Sequence, residues 1–220
     1  MPRILIILSM VPILGAFLLG HFLGVRVLRK SRKCSRTLEE LLEFLRGKGI
    51  KPEVKYKRVV WSGKMLSSSG VVYLPAKWKT TNNSTLIAQA LLRIGFQRLL
   101  KNHPEIVRWR LKVLKVGYVL PPFLMLIAVF ALVAGRFPSI WVIAIVSLAI
   151  AGMCILLWTT RAIESEAARY AEVLTRKTRM LSRASEEDAL VEKVKAWTWA
   201  NFMPGVCLSI ALGNQKEHIE

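Results

Sequence analysis

The chain is short of the side chains that most hydrolytic and redox sites use. One aspartate, Asp188, occurs in 220 residues, and it closes a Ser185-Glu186-Glu187-Asp188 run that reads as a capped helix start. A Ser-His-Asp triad would have to borrow that helix-cap residue, which argues against one. The histidines are His21, His103 and His218, with no pair at ligand spacing, and the cysteines, Cys34, Cys154 and Cys207, form no C-x-x-C. Neither a disulfide framework nor a zinc knuckle is indicated. No glycine-rich phosphate loop, internal repeat or low-complexity segment is present.

Charge is missing from three long stretches, residues 4–23, 116–134 and 140–158. Each approaches the roughly 20 residues that cross a 30 Å hydrocarbon core. The second and third are joined only by residues 135–139, so they read as a transmembrane hairpin. The first is followed by Val25-Arg26-Val27-Leu28-Arg29-Lys30 with no small-x-small cleavage site, so it reads as an uncleaved anchor. A fourth stretch, 196–212, is interrupted by Asn201 and Pro204-Gly205 and stays open between a span and a kinked or re-entrant helix.

What the chain has in excess is positive charge, +19 beside 53% hydrophobic content. Those two properties coexist when apolar and basic residues are segregated into blocks, as in a membrane protein. Between Arg26 and Lys115 there are 22 Lys and Arg against 5 Glu, whereas the hairpin tip holds only Arg136. The positive-inside rule then places the N-terminus outside and both polar blocks in the cytoplasm of a multi-pass cell-membrane protein. Arg26, Arg29, Lys30, Arg32 and Lys33 adjoin the first span and suit anionic lipid head groups. Trp61, Tyr73 and Trp78 lie among lysines, but no nucleic-acid-binding motif accompanies them, so nucleic acid is disfavoured as a partner.

Between the spans, Thr37-Leu38-Glu39-Glu40 is a capping box, and Leu38, Leu41, Leu42 and Leu45 repeat on one helical face until Gly47 and Gly49. Residues 53–61 and 71–74 read as two strands of a small β-hairpin around a turn at 62–70. Residues 84–101 read as a helix with Ser84 at its cap, apolar over most of its surface, with a Gln89-Arg93-Gln97 stripe that requires a partner. Pro104-Glu105 starts a basic helix that runs on into the second span, and 161–180 reads as a helix beyond the hairpin. The last helix, begun at Ser185, reaches Trp197 and Trp199, an aromatic pair suited to a bilayer interface.

The order of elements over about residues 37–175 resembles the membrane-embedded zinc metallopeptidases of the heat-shock membrane protease and CAAX prenyl protease type, and the related neutral zinc metallopeptidases. Gly70-Val71-Val72-Tyr73-Leu74-Pro75 looks like the strand preceding their active-site helix. Residues 161–168, Arg-Ala-Ile-Glu-Ser-Glu-Ala-Ala, look like the helix of their third zinc ligand, with Glu164 at the ligand and Ala168 where the family has Asp. The resemblance implies a His-Glu-x-x-His helix, two histidines binding zinc and the glutamate activating water. Placing Gly95 on the glycine common in His-Glu-x-Gly-His puts Leu92, Arg93, Ile94, Gly95 and Phe96 there instead. Leu92 and Phe96 cannot bind zinc, and the Arg93 guanidinium cannot act as a base. No catalytic residue, metal ligand or cofactor is therefore assigned.

The uncharged stretches and the polar blocks predict a mainly α membrane protein with three or four spans and a small cytoplasmic α+β region, to which the resemblance adds a gluzincin-like core. The expected divisions are an anchor (1–25), a basic α+β region with the degenerate metal helix (26–115), a transmembrane hairpin (116–158), cytoplasmic helices (159–195) and a C-terminal apolar helix and tail (196–220). The implied role is a pseudopeptidase, a non-enzymatic binding or structural subunit with a protein partner. The alternatives are an active hydrolase with a non-standard site, or a basic tether for anionic lipid or nucleic acid. An ion pair between Arg93 and Glu164 is expected where metal and water sit in active relatives. Its competitor is Arg93 reaching solvent along the Gln89–Gln97 stripe.

Overall fold

The computed structural model describes residues 1–30, 32–58, 66, 70–135, 138–204, 208 and 211–212. The chain is mainly helical with a small two-stranded sheet. Among the described residues two helices, Pro2–Arg29 and Ser139–Thr159, are long and apolar enough to cross a membrane.

The first long helix, expected from the sequence as an anchor, is α1 (Pro2–Leu19), a π-helical segment (Gly20–Val25) and α2 (Arg26–Arg29) in continuous succession. The irregular segment falls where the anchor crosses the last helix. There a Cβ on Gly20 would lie 2.4 Å from Met203 Cγ, and one on Gly24 would lie 2.6 Å from the Ala200 backbone nitrogen. Two glycines four residues apart thus let the helices approach nearly backbone to backbone.

Next, α3 (Leu38–Gly47) begins with the expected capping box, Thr37 accepting from Glu40 N and Glu40 returning to Thr37 N. Its four leucines are all buried. Strands β1 (Val54–Lys57) and β2 (Val72–Pro75) pair in parallel, with Val54 opposite Val72. This corrects the expected hairpin: residues 58–71 are long enough for the crossover a parallel pair needs. The antiparallel partner of Val72 is instead Leu66. Trp61 and most of the expected turn lie outside the described residues.

Helix α4 (Ser84–Asn102) is buried on almost every side. Its cap is Asn83, whose side chain accepts from Thr85 N at 2.9 Å, which corrects the assignment of Ser84 to that role. At the far end Gln97 Nε2 donates to the Gly70 carbonyl at 2.8 Å, so that member of the polar stripe secures the start of β2. Helix α5 (Pro104–Val133) runs unbroken from the basic stretch into the apolar one, and α6 (Ser139–Thr159) packs against both α5 and α1.

Helices α7 (Arg161–Thr178) and α8 (Ala184–Ala200) close the polar half. One core joins Leu28, the leucines of α3, both strands, α4, Val107, α7 and α8. The stretch 196–212 is not one continuous helix, because α8 ends at Ala200 while Leu208 and Leu212 pack back on this core and Ala211 O accepts from Arg29.

Candidate functional site

The residues singled out in the sequence meet where α4 crosses α7. A Cβ on Gly95 would sit 2.1 Å from the Ala167 carbonyl oxygen, so only glycine permits this approach. Leu92, Arg93 and Phe96 on α4 and Glu164 and Ala168 on α7 are all buried around that contact. Gly95 therefore has a packing reason to be glycine that is independent of any metal chemistry.

A cation that the sequence does not single out, Arg110, lies on Glu164. Arg110 Nε donates to Glu164 Oε1 at 2.5 Å and Nη2 reaches the same oxygen. Asn201 Nδ2 donates to Oε2 at 2.9 Å, so both carboxylate oxygens are occupied. The guanidinium also stands 3.9 Å from the centre of the Phe96 ring, a cation–π contact made in a dry site. Three elements thus converge on Glu164: α5 supplies the cation, α4 the aromatic face beneath it, and the end of α8 the amide. Arg93 also lies buried on α4, beside this contact.

Chemically, this is a neutralised carboxylate. Of the roughly four acceptor directions of a carboxylate, the guanidinium takes two on Oε1 and the amide one on Oε2, which leaves little room for a metal. Among the described residues no three His, Cys, Asp or Glu side chains gather at one point. Glu166, one turn-face away, is partly exposed beside Arg169.

A second polar cluster lies where the anchor, α4 and α8 meet. Lys193 Nζ donates to Ser84 Oγ at 2.5 Å and Thr85 Oγ1 at 3.1 Å, and Trp197 Nε1 donates to the Thr85 carbonyl at 2.9 Å. Burial pushes the Lys193 ammonium down from 10.5 to about 8, and it pushes the nearby Cys34 thiol up to about 11. A third cation, Arg161, lies 3.7 Å over the Trp199 ring with Trp158 and Phe202 beside it, at the junction of α6 and α7.

Arg110 and Lys193 were missed in the sequence because both sit in strongly charged stretches. The signal was periodicity. Arg110 is three residues after buried Val107 and three before buried Val113; Lys193 shares a stripe with Leu190, Val194 and Trp197. Comparison with protein-family models, curated proteins and solved structures gives no match to this chain.

Proposed function

We propose that this chain is a catalytically inactive relative of the membrane zinc metallopeptidases, serving as a binding or structural subunit of a membrane complex. The observation that carries the reading is the occupied carboxylate. Glu164 stands at the helix crossing where the family's third ligand is expected, and Arg110 and Asn201 hold both of its oxygens. Opposite it, Leu92 and Phe96 fill the ligand positions with buried hydrocarbon.

The membrane placement that accompanies this reading has three spans: the anchor helix, the apolar part of α5, and α6. Large apolar side chains stand exposed along all three, among them Ile7, Val11, Leu126, Phe130, Ile143 and Ile155, as lipid contact requires. The chain leaving the anchor, entering α5 and leaving α6 contributes to one core, which supports a reading with those three ends on one side. Their surplus of Lys and Arg assigns that side to the cytoplasm and the N-terminus to the outside. Arg26, Arg29, Lys30, Arg32 and Lys33 are exposed at the end of the anchor, which favours contact with anionic head groups.

Metal analysis of the full-length protein, purified in detergent and equilibrated with zinc, tests the proposal. The expected result is zinc far below one equivalent and no release of peptide fragments from an unfolded substrate protein. Stoichiometric zinc removable by a chelator would overturn it.

A further inference from the structure

The Lys193 cluster has no part in the proposal above, and its bonding pattern has a direction. The amine on α8 donates to two hydroxyls on α4. Ser84 Oγ passes a hydrogen bond on to the Arg32 carbonyl at 2.6 Å, and Thr85 Oγ1 passes one to the Leu28 carbonyl at 2.9 Å. One nitrogen is thereby linked, through two hydroxyls, to the end of the anchor helix and to the basic strap, residues 32–36, that follows it. The strap backbone lies along the start of α4: Arg32 N donates to Ser84 Oγ (3.1 Å), Ser84 N to Arg32 O (3.0 Å) and Cys34 N to Asn82 O (2.8 Å).

A serine hydroxyl against a lysine nitrogen, with a second hydroxyl fixing the amine, is also how a nucleophile and its base are arranged. Two observations weigh against that use. The Ser84 proton is directed to the Arg32 carbonyl rather than to the amine. The strap covers the pair, leaving Ser84 and Lys193 each 3% exposed.

We infer that Lys193, Ser84 and Thr85 form a proton-linked latch that holds the end of the anchor helix and its strap against the α4–α8 core. The groups acting on the amine are few. α8 contributes Glu192, the strap contributes Arg32 and Cys34, and α4 contributes hydroxyls and the positive end of its backbone dipole. Among the described residues no carboxylate forms an ion pair with Lys193. Burial is what favours the uncharged amine in the closed latch, and a neutral amine keeps two N–H groups, enough for both hydroxyls.

The sign follows from the lowered value of about 8 in the closed state against 10.5 for a solvated lysine. Below pH 8 the amine is charged whether the latch is open or shut, and the closed state carries the whole cost of burying it. Between pH 8 and 10.5 closure releases a proton, so each unit of pH tightens the latch about tenfold, to a ceiling of about 300-fold. The latch is loosest at neutral and acid pH and tightest under alkaline conditions.

Amide hydrogen exchange of the full-length protein in lipid nanodiscs, from pH 7 to 9.5, tests this in peptides covering residues 32–38. Rates are corrected for the intrinsic pH dependence of exchange. Protection of the strap is expected to hold level to about pH 8 and then climb toward tenfold per unit. Lys193→Met should abolish the climb, and Thr85→Val, which keeps the lysine, should lower protection while preserving it. Strap protection in the unsubstituted protein that stays flat to pH 9.5 would overturn the latch. So would covalent labelling of Ser84 by a fluorophosphonate, which would make the pair a nucleophile and base.

Discussion

Replacing Arg110 by Met should be among the most damaging single substitutions in the polar half of the protein. Its side chain is 1% exposed and its partner Glu164 2% exposed, so neither charge has water to fall back on. Breaking such a pair from one side typically costs about 3–5 kcal/mol, because the surviving charge stays buried without its counter-ion. Asn201 would remain on Glu164 Oε2, which places the expected loss toward the lower end of that range. Glu164→Gln should cost a similar amount by stranding the guanidinium. The double variant removes both charges, keeps an oxygen for Asn201 and leaves Met to cover Phe96. It should therefore be far less destabilised than the sum of the singles, with a coupling of about 2 kcal/mol or more. Denaturant unfolding in detergent, followed by tryptophan fluorescence, reads the four corners of the cycle. Additivity within about 0.5 kcal/mol would refute the pair as the centre of the site.

Other expectations are simpler to state. Gly95→Ala should destabilise by at least the 1–3 kcal/mol of ordinary overpacking, since the added carbon meets the Ala167 backbone rather than a mobile side chain; thermal unfolding checks it. Thr37→Ala should cost about 1 kcal/mol through loss of the α3 cap, and Thr37→Ser should recover most of that. Cys34, buried and with its thiol pushed up to about 11, should resist maleimide at pH 8 in the folded protein and react once denaturant is added. Rapid labelling of native protein would contradict that placement.

Local chemistry carried much of this fold into the sequence. The Thr37-Glu40 box and the leucine repeat locate α3 because caps and amphipathic faces are decided within one or two turns. The course of α4 and the uncharged runs are legible for the same reason. The parallel pairing of β1 and β2 is not, because short strands with partial alternation read alike in either direction. Pairing sense depends on where residues 58–71 travel, which no local pattern records. The site shows the same division. Glu164, Gly95 and the positions around them are reached through the family resemblance, which carries no signal for Arg110. Arg110 belongs to a segment with Arg108, Lys112 and Lys115, and charge density there points to a surface helix. Only its placement between Val107 and Val113 separates it from its neighbours.

The close crossing at Gly20 and Gly24 changes what the anchor is. A helix whose only task is to hold a protein in a bilayer can be exchanged for any apolar sequence of similar length. This one presents two bare Cα positions to Ala200 and Met203 and delivers the Leu28 carbonyl to the Thr85 hydroxyl, as the strap behind it delivers the Arg32 carbonyl to Ser84. A generic substitute bearing leucines at positions 20 and 24 would be pushed off α8 by the width of a side chain. A chain shortened to begin after Arg29 would leave the Ala196–Ala200 face and the Thr85 hydroxyl uncovered. The first long helix is therefore a structural wall of the polar half, packed into it through Gly20, Gly24 and Leu28.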